Sequence, residues 1–417
     1  MNTEIQGLVT PVITGSDNRN LDSLNKVPNA VRIQSIDLLR GVVMIIMALD
    51  HVRDYFHYDV FFYSPTDLTK TSVPLFVTRF ITHYCAPVFV FLAGMSAYIS
   101  GTKKSKKELS FFLWTRGAWL VFAELFIVSL FRSFNPTYPY FNLQVIWVLG
   151  MCMIALSAII YLNRKLILLI GVVLILAHNL TDNVHIQGNG FLAIAWSFLH
   201  DPHHFTFGSL DLYVRYPILP WLGIMTIGYY LGFLYTPGYD QAKRRTSLLQ
   251  LGVGLIILFI VFRITNIYGD PVNWSVQKNS VFTILSFFNV TKYPPSFLYT
   301  MITLGPALVF LGLTEKSLNR WSSRIITFGR VPMFYYLIHI LLIHILAVIA
   351  ALFAGYPEMI VLDQAVWDVP ALKGYGFNLA DVYAIWIVLI GLLYPFCKWF
   401  DKYKRYHHSK YRLLSYL

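Results

Sequence analysis

Apolar runs of about 20 residues recur along the whole chain, and they restrict what it can fold into. In helical form, a run of that length crosses the ~30 Å hydrocarbon layer of a bilayer. The fifth run is short, so residues 186–199 either complete it or form a re-entrant piece. The ten predicted spans are 35–55, 78–101, 110–131, 143–162, 166–180, 216–235, 248–266, 297–314, 325–353 and 382–400.

Composition and charge agree with a membrane protein. Only 13% of the 417 residues are charged, whereas soluble domains carry ~25%. The net charge of +12 would suggest a nucleic-acid partner in a soluble protein. With ten spans and both termini inside, however, the inner segments hold 21 Lys and Arg when the last is extended to include Lys398, and the outer loops hold six. Because basic loops face the cytoplasm, the charge indicates orientation and no nucleic-acid partner.

The fold predicted from these patterns is all-α, a polytopic membrane bundle of about ten transmembrane helices with cytoplasmic N- and C-termini. Residues 1–31 are polar and contain no apolar signal-peptide segment, so we expect a disordered cytoplasmic tail. Residues 32–400 are expected to form the membrane domain, and residues 401–417 a basic cytoplasmic tail. Three outer loops are long, and they either cap a substrate site or merely connect helices: 181–215, 267–296 and 354–381.

The first span carries chemically capable side chains along one helix face. The residues of this face, spaced three or four apart, are Asp37, Arg40, Met44, Met47, His51 and Asp54. Arg40, near the inner end, suits a phosphate ligand. His51, near the outer end, suits a general base whose imidazole is oriented by Asp50 or Asp54. The alternative is that Asp37 and Arg40 form a simple pair and that the outer residues are hydrated interfacial groups.

Other ionisable residues within the spans are further candidates, because such residues are costly in a membrane. His83 in the second span lies at the depth of His51 and is a candidate to share its site, although a structural role is favoured for His83 alone. Arg116 in the third span is a candidate second phosphate ligand. Lys292 and Glu124 are candidate substrate contacts: Lys292 would meet an anionic acceptor, while Glu124 also needs a buried partner on another helix.

Two histidines of the ninth span, His339 and His344, lie five residues apart, or about 140° around a helix. They therefore cannot share one metal ion, and we expect both to pack, with room for one to face a cavity. The three distant cysteines form no thiolate metal site. The sequence indicates no metal.

Several ordered blocks occur over roughly residues 32–400: Ser35-x-Asp37-x-x-Arg40-Gly41, Leu49-Asp50-His51, the segment from Ala86 to Gly94, Tyr216-Pro-Ile-Leu-Pro-Trp-Leu-Gly223, Lys292-Tyr-Pro-Pro-Ser296 with Thr303-Leu-Gly-Pro306, and Phe328-Gly-Arg-Val-Pro332 through His344. Together these blocks resemble the heparan-alpha-glucosaminide N-acetyltransferase-like family, and its bacterial branch most closely.

The resemblance implies transfer of an acetyl group from cytosolic acetyl-CoA to a sugar on the far side of the membrane. The first span also resembles bacterial membrane O-acyltransferases, in which an Arg-Gly pair is followed by a catalytic histidine. By that likeness Arg40 lies near the cofactor phosphates, and His51 is the base. In the glucosaminide acetyltransferase the catalytic histidine lies in the next outer loop, where His57 is the nearest candidate here.

The combined hypothesis is an acyltransferase of the bacterial cytoplasmic membrane. Its predicted catalytic residues are His51, Asp50, Asp54 and His83. Its predicted ligands for the acetyl-CoA phosphates are Arg40 and Arg116, together with Asp37. The expected partners are acetyl-CoA, a sugar or glycan acceptor, and the lipid bilayer; the acceptor and the oligomeric state, a homodimer included, stay open. The main alternative is a permease or exporter for a small anion that moves along the same charged face.

Overall fold

A helix lies at each of the ten predicted spans in the computed structural model, which describes residues 33–315 and 319–407. The predicted tail over residues 1–31 and the end of the tail, residues 408–417, lie outside the described residues. The α-helices are α1 (Gln34–Phe56), α2 (Val73–Thr82), α3 (Cys85–Gly101), α4 (Lys106–Phe122), α5 (Ser129–Ser133), α6 (Val145–Ile159), α7 (Arg164–Ala177), α8 (Phe191–Leu199), α9 (Ile218–Leu231), α10 (Gln241–Thr265), α11 (Ser280–Phe288), α12 (Phe297–Leu313), α13 (Arg320–Arg330), α14 (Pro332–Ala354) and α15 (Leu379–His407).

Shorter elements complete the described chain. A π-helical segment, Ala123–Val128, joins α4 to α5. Short 3-10 turns cover Tyr58–Phe61, His178–Thr181, Gly232–Tyr235, Pro357–Met359, Val366–Asp368 and Pro370–Leu372. The strands are β1 (Tyr140–Leu143), β2 (His203–Phe207) and β3 (Leu210–Val214).

The predicted helical membrane bundle is confirmed. Within residues 33–315 and 319–407, seven helical segments are long and apolar enough to cross a membrane: Val73–Gly101, Lys106–Ser133, Arg164–Thr181, Ile218–Tyr235, Gln241–Thr265, Pro332–Ala354 and Leu379–His407. Of the other predicted spans, α1 has 23 residues but carries the charged face. Helices α6 and α12 are apolar but only 15 and 17 residues long. The count of ten and the orientation stay predictions.

The fifth span needs no completion by residues 186–199. Helix α7 continues into the turn that ends at Thr181, which makes a helical stretch of 18 residues. The later apolar run is instead the separate helix α8, of nine residues. Completion of the span by residues 186–199 was therefore wrong, whereas the re-entrant alternative stays a prediction.

Helix starts follow from the local sequence. A side-chain oxygen just before the first turn accepts a hydrogen bond from a backbone N–H that has no helical partner. This cap is present at Ser72, Asn163, Asp240, Asn279, Ser296 and Asn319. At α4, Ser105 and Glu108 cap each other reciprocally.

The three outer loops converge on the outer end of α1. Strands β1 and β3 run parallel, with Leu143 opposite Val214, so the residues that follow them leave the sheet side by side. Strand β2 pairs antiparallel with β3 on its other side. Residues 354–381 fold back onto α1, where the N–H of Phe377 donates to the carbonyl of Phe56 at 2.7 Å. These segments surround the site described below.

Helices α1 and α13 touch through two glycines. A Cβ atom on Gly41 would lie 2.2 Å from the carbonyl oxygen of Ile325, and one on Gly329 would lie 2.0 Å from that of Asp37. Small residues permit such close backbone contact between helices in a membrane. The Arg-Gly block of α1 and the Phe-Gly-Arg block of α13 are therefore parts of one crossing.

Changing Gly329 to alanine should lower the unfolding midpoint in detergent, because the added methyl group meets backbone and the helices must separate. Overpacking of this kind costs about 1–3 kcal/mol. The matched control is Gly391→Ala in α15, where an added Cβ meets no atom within 4 Å. A Gly329→Ala midpoint equal to that of the control would contradict this crossing.

Candidate active site

A polar cavity of about 360 Å³ opens beside the outer end of α1. Its wall includes Met47, Asp50, His51, Arg53 and Asp54, so the outer half of the predicted face of α1 does line a common space. Helices α2 and α3 contribute Arg79, Thr82, Cys85, Ala86 and Phe89. The three long outer loops contribute Arg215, Lys292, Tyr293, Trp367 and Asp368. The loops thus cap a cavity and do more than connect helices.

His51 forms a hydrogen-bonded pair with a histidine of α14. Its Nδ1 lies 2.8 Å from Nε2 of His339, and Nδ1 of His339 lies 3.0 Å from the carbonyl oxygen of Tyr335. His339 is fully buried. His339 packs as expected, and in addition it contacts the candidate base directly.

The hydrogen bond between His339 and Tyr335 determines which histidine donates in the bond between His51 and His339. A carbonyl oxygen only accepts, so Nδ1 of His339 carries the hydrogen and, in the neutral ring, Nε2 accepts. His51 then donates through Nδ1, which leaves a lone pair on its Nε2. No described residue forms a hydrogen bond with that nitrogen, and His51 lines the cavity. This is the protonation pattern that a general base requires.

Asp50 does not orient His51 through a hydrogen bond but joins a cluster of ion pairs. Both of its carboxylate oxygens accept from Nη1 of Arg79 at 2.7 Å, and Thr82 donates to it at 2.7 Å. Nη1 of Arg53 lies 2.8 Å from Asp50, and Nη2 of Arg53 donates to Asp54 at 2.6 Å. The predicted assistance of His51 by either carboxylate is replaced by the contact with His339.

A second, smaller cavity of about 50 Å³ shares His51 and Asp54 with the first. Arg132 lines it and donates to the hydroxyl of Tyr336 at 3.2 Å. Gln144, which directly follows β1, lines both cavities. A cavity of this size has room for water, and His51 borders it as well as the larger cavity.

The inner end of α1 holds a separate ionic cluster. Arg40 donates to Asp37 at 3.0 Å, to the carbonyl of Gly329 at 3.1 Å and to Ser96 at 2.9 Å, and so connects α1, α3 and α13. Nη1 of Arg330 lies 3.5 Å from Asp401 of α15. The outer cavity reaches inward to Met47, which lies seven residues, or roughly 10 Å, from Arg40 along the helix.

The two candidate site residues of the third span, Arg116 and Glu124, line neither cavity. The guanidinium of Arg116 lies over the ring of Phe112 at 5.9 Å, on the same helix, and its cofactor role stays a prediction. Glu124 is buried, and its carboxylate lies near the backbone N–H groups of Gln144, Ile146 and Trp147, at the start of α6. Glu124 thus has the expected partner on another helix but lines neither cavity, so it is no substrate contact in this structure.

The remaining histidine candidates line neither cavity. His83 is buried, packs against the ring of Tyr299 and lines neither cavity, so it does not share a site with His51. His57 is bonded through Nδ1 to the carbonyl of Phe377 at 3.0 Å. His344 lies between the carbonyls of Phe131 and Met359, at 3.0 Å from each.

Sequence reasoning missed several residues of the cavity. Arg215 was counted only as an outer-loop charge, although it directly precedes the quoted block from Tyr216 to Gly223. Among the arginines of the spans, the sequence singled out only Arg40 and Arg116, yet Arg53 and Arg79 line the cavity. His339 could have been singled out from the sequence, since it lies inside the block from Phe328 to His344 that resembles the family.

Burial by itself raises the pKa of the Tyr293 phenol, which lies in the loop before α12. The neighbouring charges of Lys292, Arg215 and Arg79 outweigh burial and lower that pKa to about 7. The hydroxyls of Tyr293 and Tyr216 lie 3.4 Å apart. The cavity therefore contains a phenol whose charge changes near neutral pH.

Residues 32–261 match the family described as "Heparan-alpha-glucosaminide N-acetyltransferase, catalytic". This range runs from α1 into α10 and includes Arg40, His51 and Arg79, whereas Lys292 and His339 lie beyond it. No curated protein gives a significant match to the chain. Because the family match covers more than half of the chain, the protein is a member of the heparan-alpha-glucosaminide N-acetyltransferase catalytic family, a family of acetyltransferases that use acetyl-CoA as donor.

Proposed function

We propose that the protein, in a bacterial cytoplasmic membrane, transfers an acetyl group from cytosolic acetyl-CoA to an amine or hydroxyl of a sugar on the extracytoplasmic side. The observation that carries the proposal is the pair of His51 and His339 at the wall of the outer cavity, 2.8 Å apart. The family match supports the reaction type, and the pair supplies a base with a free lone pair next to polar space.

In the proposed reaction, His51 acts through Nε2. As the acceptor nitrogen or oxygen attacks the thioester carbonyl carbon, Nε2 takes the proton that the acceptor loses. The new C–N or C–O bond forms, the C–S bond breaks, and the proton passes from His51 to the departing CoA sulfur. His339 is a positioning residue, because it fixes which nitrogen of His51 holds the hydrogen.

The donor is proposed to enter from the inner end. Arg40 has a forked guanidinium suited to phosphate, and its side chain retains 16% exposure. The eleven residues from Arg40 to His51 rise roughly 16 Å along α1. An extended pantetheine arm would have to span that distance, so the thioester would reach the cavity while the nucleotide stays near Arg40. Arg116 remains the proposed second phosphate contact.

The first test uses purified protein in lipid nanodiscs with radiolabelled acetyl-CoA and a panel that includes an α-glucosaminide and hydroxyl-only sugars. The proposal predicts labelled acetylated sugar and release of free CoA. The permease alternative predicts neither. If the protein does not turn over acetyl-CoA but carries a small anion into sealed vesicles, the transferase proposal is contradicted.

The positioning role of His339 predicts a difference between two variants of similar size. In His339→Gln an amide oxygen can still accept from Nδ1 of His51, so kcat should stay within about tenfold of wild type. In His339→Leu that acceptor is lost, and kcat should fall on the order of a hundredfold at unchanged KM for acetyl-CoA. Equal losses in both variants, measured at equal folded fraction, would contradict the tautomer assignment.

A further inference from the structure

Two cations of the outer cavity have no carboxylate partner among the described residues. Lys292 retains only 8% exposure and lines the cavity, and its side-chain ammonium has no hydrogen bond or ion pair to a described residue. Arg215 lines the same cavity, and its Nε is buried without a hydrogen bond. The Lys292 ammonium and the Arg215 guanidinium lie 5.2 Å and 4.7 Å from the centre of the Tyr293 ring. The two charges therefore flank one aromatic side chain.

The other cations of the wall differ from this pair. Arg53 and Arg79 are held by Asp50, and Arg53 also by Asp54. The remaining carboxylate, Asp368, lines the cavity but forms no ion pair with Arg215 or Lys292. Burying a charge without a partner is unfavourable, so an anion bound beside Lys292 and Arg215 would relieve that cost.

We infer that this cavity recognises an acceptor that bears a carboxylate or phosphate group, with Lys292 and Arg215 as its anion-binding residues. The inference rests on the proposed function, because the bound molecule is an acceptor only if His51, which lines the same cavity, catalyses the transfer. The anionic group would bind between the two loops that carry these cations, and the amine or hydroxyl to be acylated would face Nε2 of His51. Charge-assisted hydrogen bonds of this kind are among the strong ones in proteins.

Tyr293 gives the site a characteristic pH dependence. The charged or titratable groups acting on its phenol are Lys292, Arg215, Arg79, Tyr216, Tyr213 and Tyr299. Its pKa is lowered to about 7, because these cations outweigh burial. Below that pH the phenol is neutral and the two cations are available. Above it the phenolate adds a negative charge beside them, so anion affinity should fall as the pH rises through about 7.

The test measures binding of glucuronate, glucose 6-phosphate and neutral glucose to the purified full-length protein in nanodiscs, without acetyl-CoA. The inference predicts that both anionic sugars bind more tightly than glucose. Lys292→Gln and Arg215→Gln should each weaken anion binding roughly tenfold or more. The control Lys373→Gln alters an exposed residue of another outer loop, outside the cavity wall, and should leave binding unchanged. With glucuronate, whose charge is constant near pH 7, Tyr293→Phe should remove the pH dependence.

Three results would overturn the inference. The first is equal affinity of wild type for glucose and both anionic sugars, which needs no variant to fold. The second is unchanged affinity in both folded Gln variants. The third is that CoA or inorganic phosphate binds with the same dependence on Lys292 and displaces the sugars equally well, which would assign the site to another anion. Because no donor is present, a failed transfer assay and a failed binding assay remain distinguishable.

Discussion

His51→Ala should lower acetyl transfer by about 10²–10⁴-fold while the protein stays folded, because loss of a general base has that magnitude. The variant removes the only imidazole nitrogen in the described residues that both faces the cavity and keeps a lone pair through its bond to His339. The assay is initial-rate transfer from radiolabelled acetyl-CoA to the best acceptor of the panel. KM for acetyl-CoA should change little.

The matched control is His185→Ala, since His185 is an exposed outer-loop histidine that pairs with Asp201. It should retain wild-type transfer. Added imidazole should restore part of the activity of His51→Ala, as it would fill the vacated space with a base. Undiminished transfer in folded His51→Ala would show that another group is the base.

Asp50→Asn should destabilise the protein by about 3–5 kcal/mol, because removal of one partner from a buried ion pair leaves the other charge uncompensated. Arg79 would lose both of its 2.7 Å contacts with a carboxylate, and Arg53 would lose one of its two carboxylate partners. The measurement is the shift of the unfolding midpoint in detergent. Activity per folded molecule should fall less than in His51→Ala, since Asp50 forms its hydrogen bonds with Arg79 and Thr82 and none with the His51 ring.

Two comparisons make this prediction specific. In Asp54→Asn, Arg53 keeps its bond to Asp50, so the loss of stability should be smaller. In the double variant Asp50→Asn, Arg79→Gln, the stranded cation is also removed, so part of the stability should return. If the two single carboxylate variants are equally stable, or if the double variant is the least stable, the ion-pair account of Asp50 is wrong.

The helices could be predicted from the sequence because the length of an apolar run is a local property. The same holds for the polar face of α1, since a spacing of three or four residues fixes it without reference to any neighbour. The small sheet could not be predicted, because β1 has only four residues and its partner β3 lies about 70 residues later. Yet this pairing brings Gln144 and Arg215 to the cavity.

The contact of His51 with His339 shows why the site could be predicted only in part from the sequence. His339 lies 288 residues away, so no spacing within one helix links the two histidines. Sequence depth made His83 a candidate companion of His51, but equal depth does not determine which way a helix turns its side chains. Similarly, Asp50 was assigned to its neighbour in sequence, whereas the structure pairs it with Arg79 of the next helix.

The central claim, that a thioester donor meets His51 in the outer cavity, is tested most directly by an experimental structure with a non-hydrolysable acetyl-CoA analogue. The account predicts the analogue's carbonyl carbon in the cavity, close enough that an acceptor atom roughly 3–3.5 Å from it could also contact Nε2 of His51. It also predicts the phosphates at the inner end, beside Arg40. An analogue bound with its acyl group away from the cavity, or with its phosphates at Lys292 and Arg215, would contradict the account.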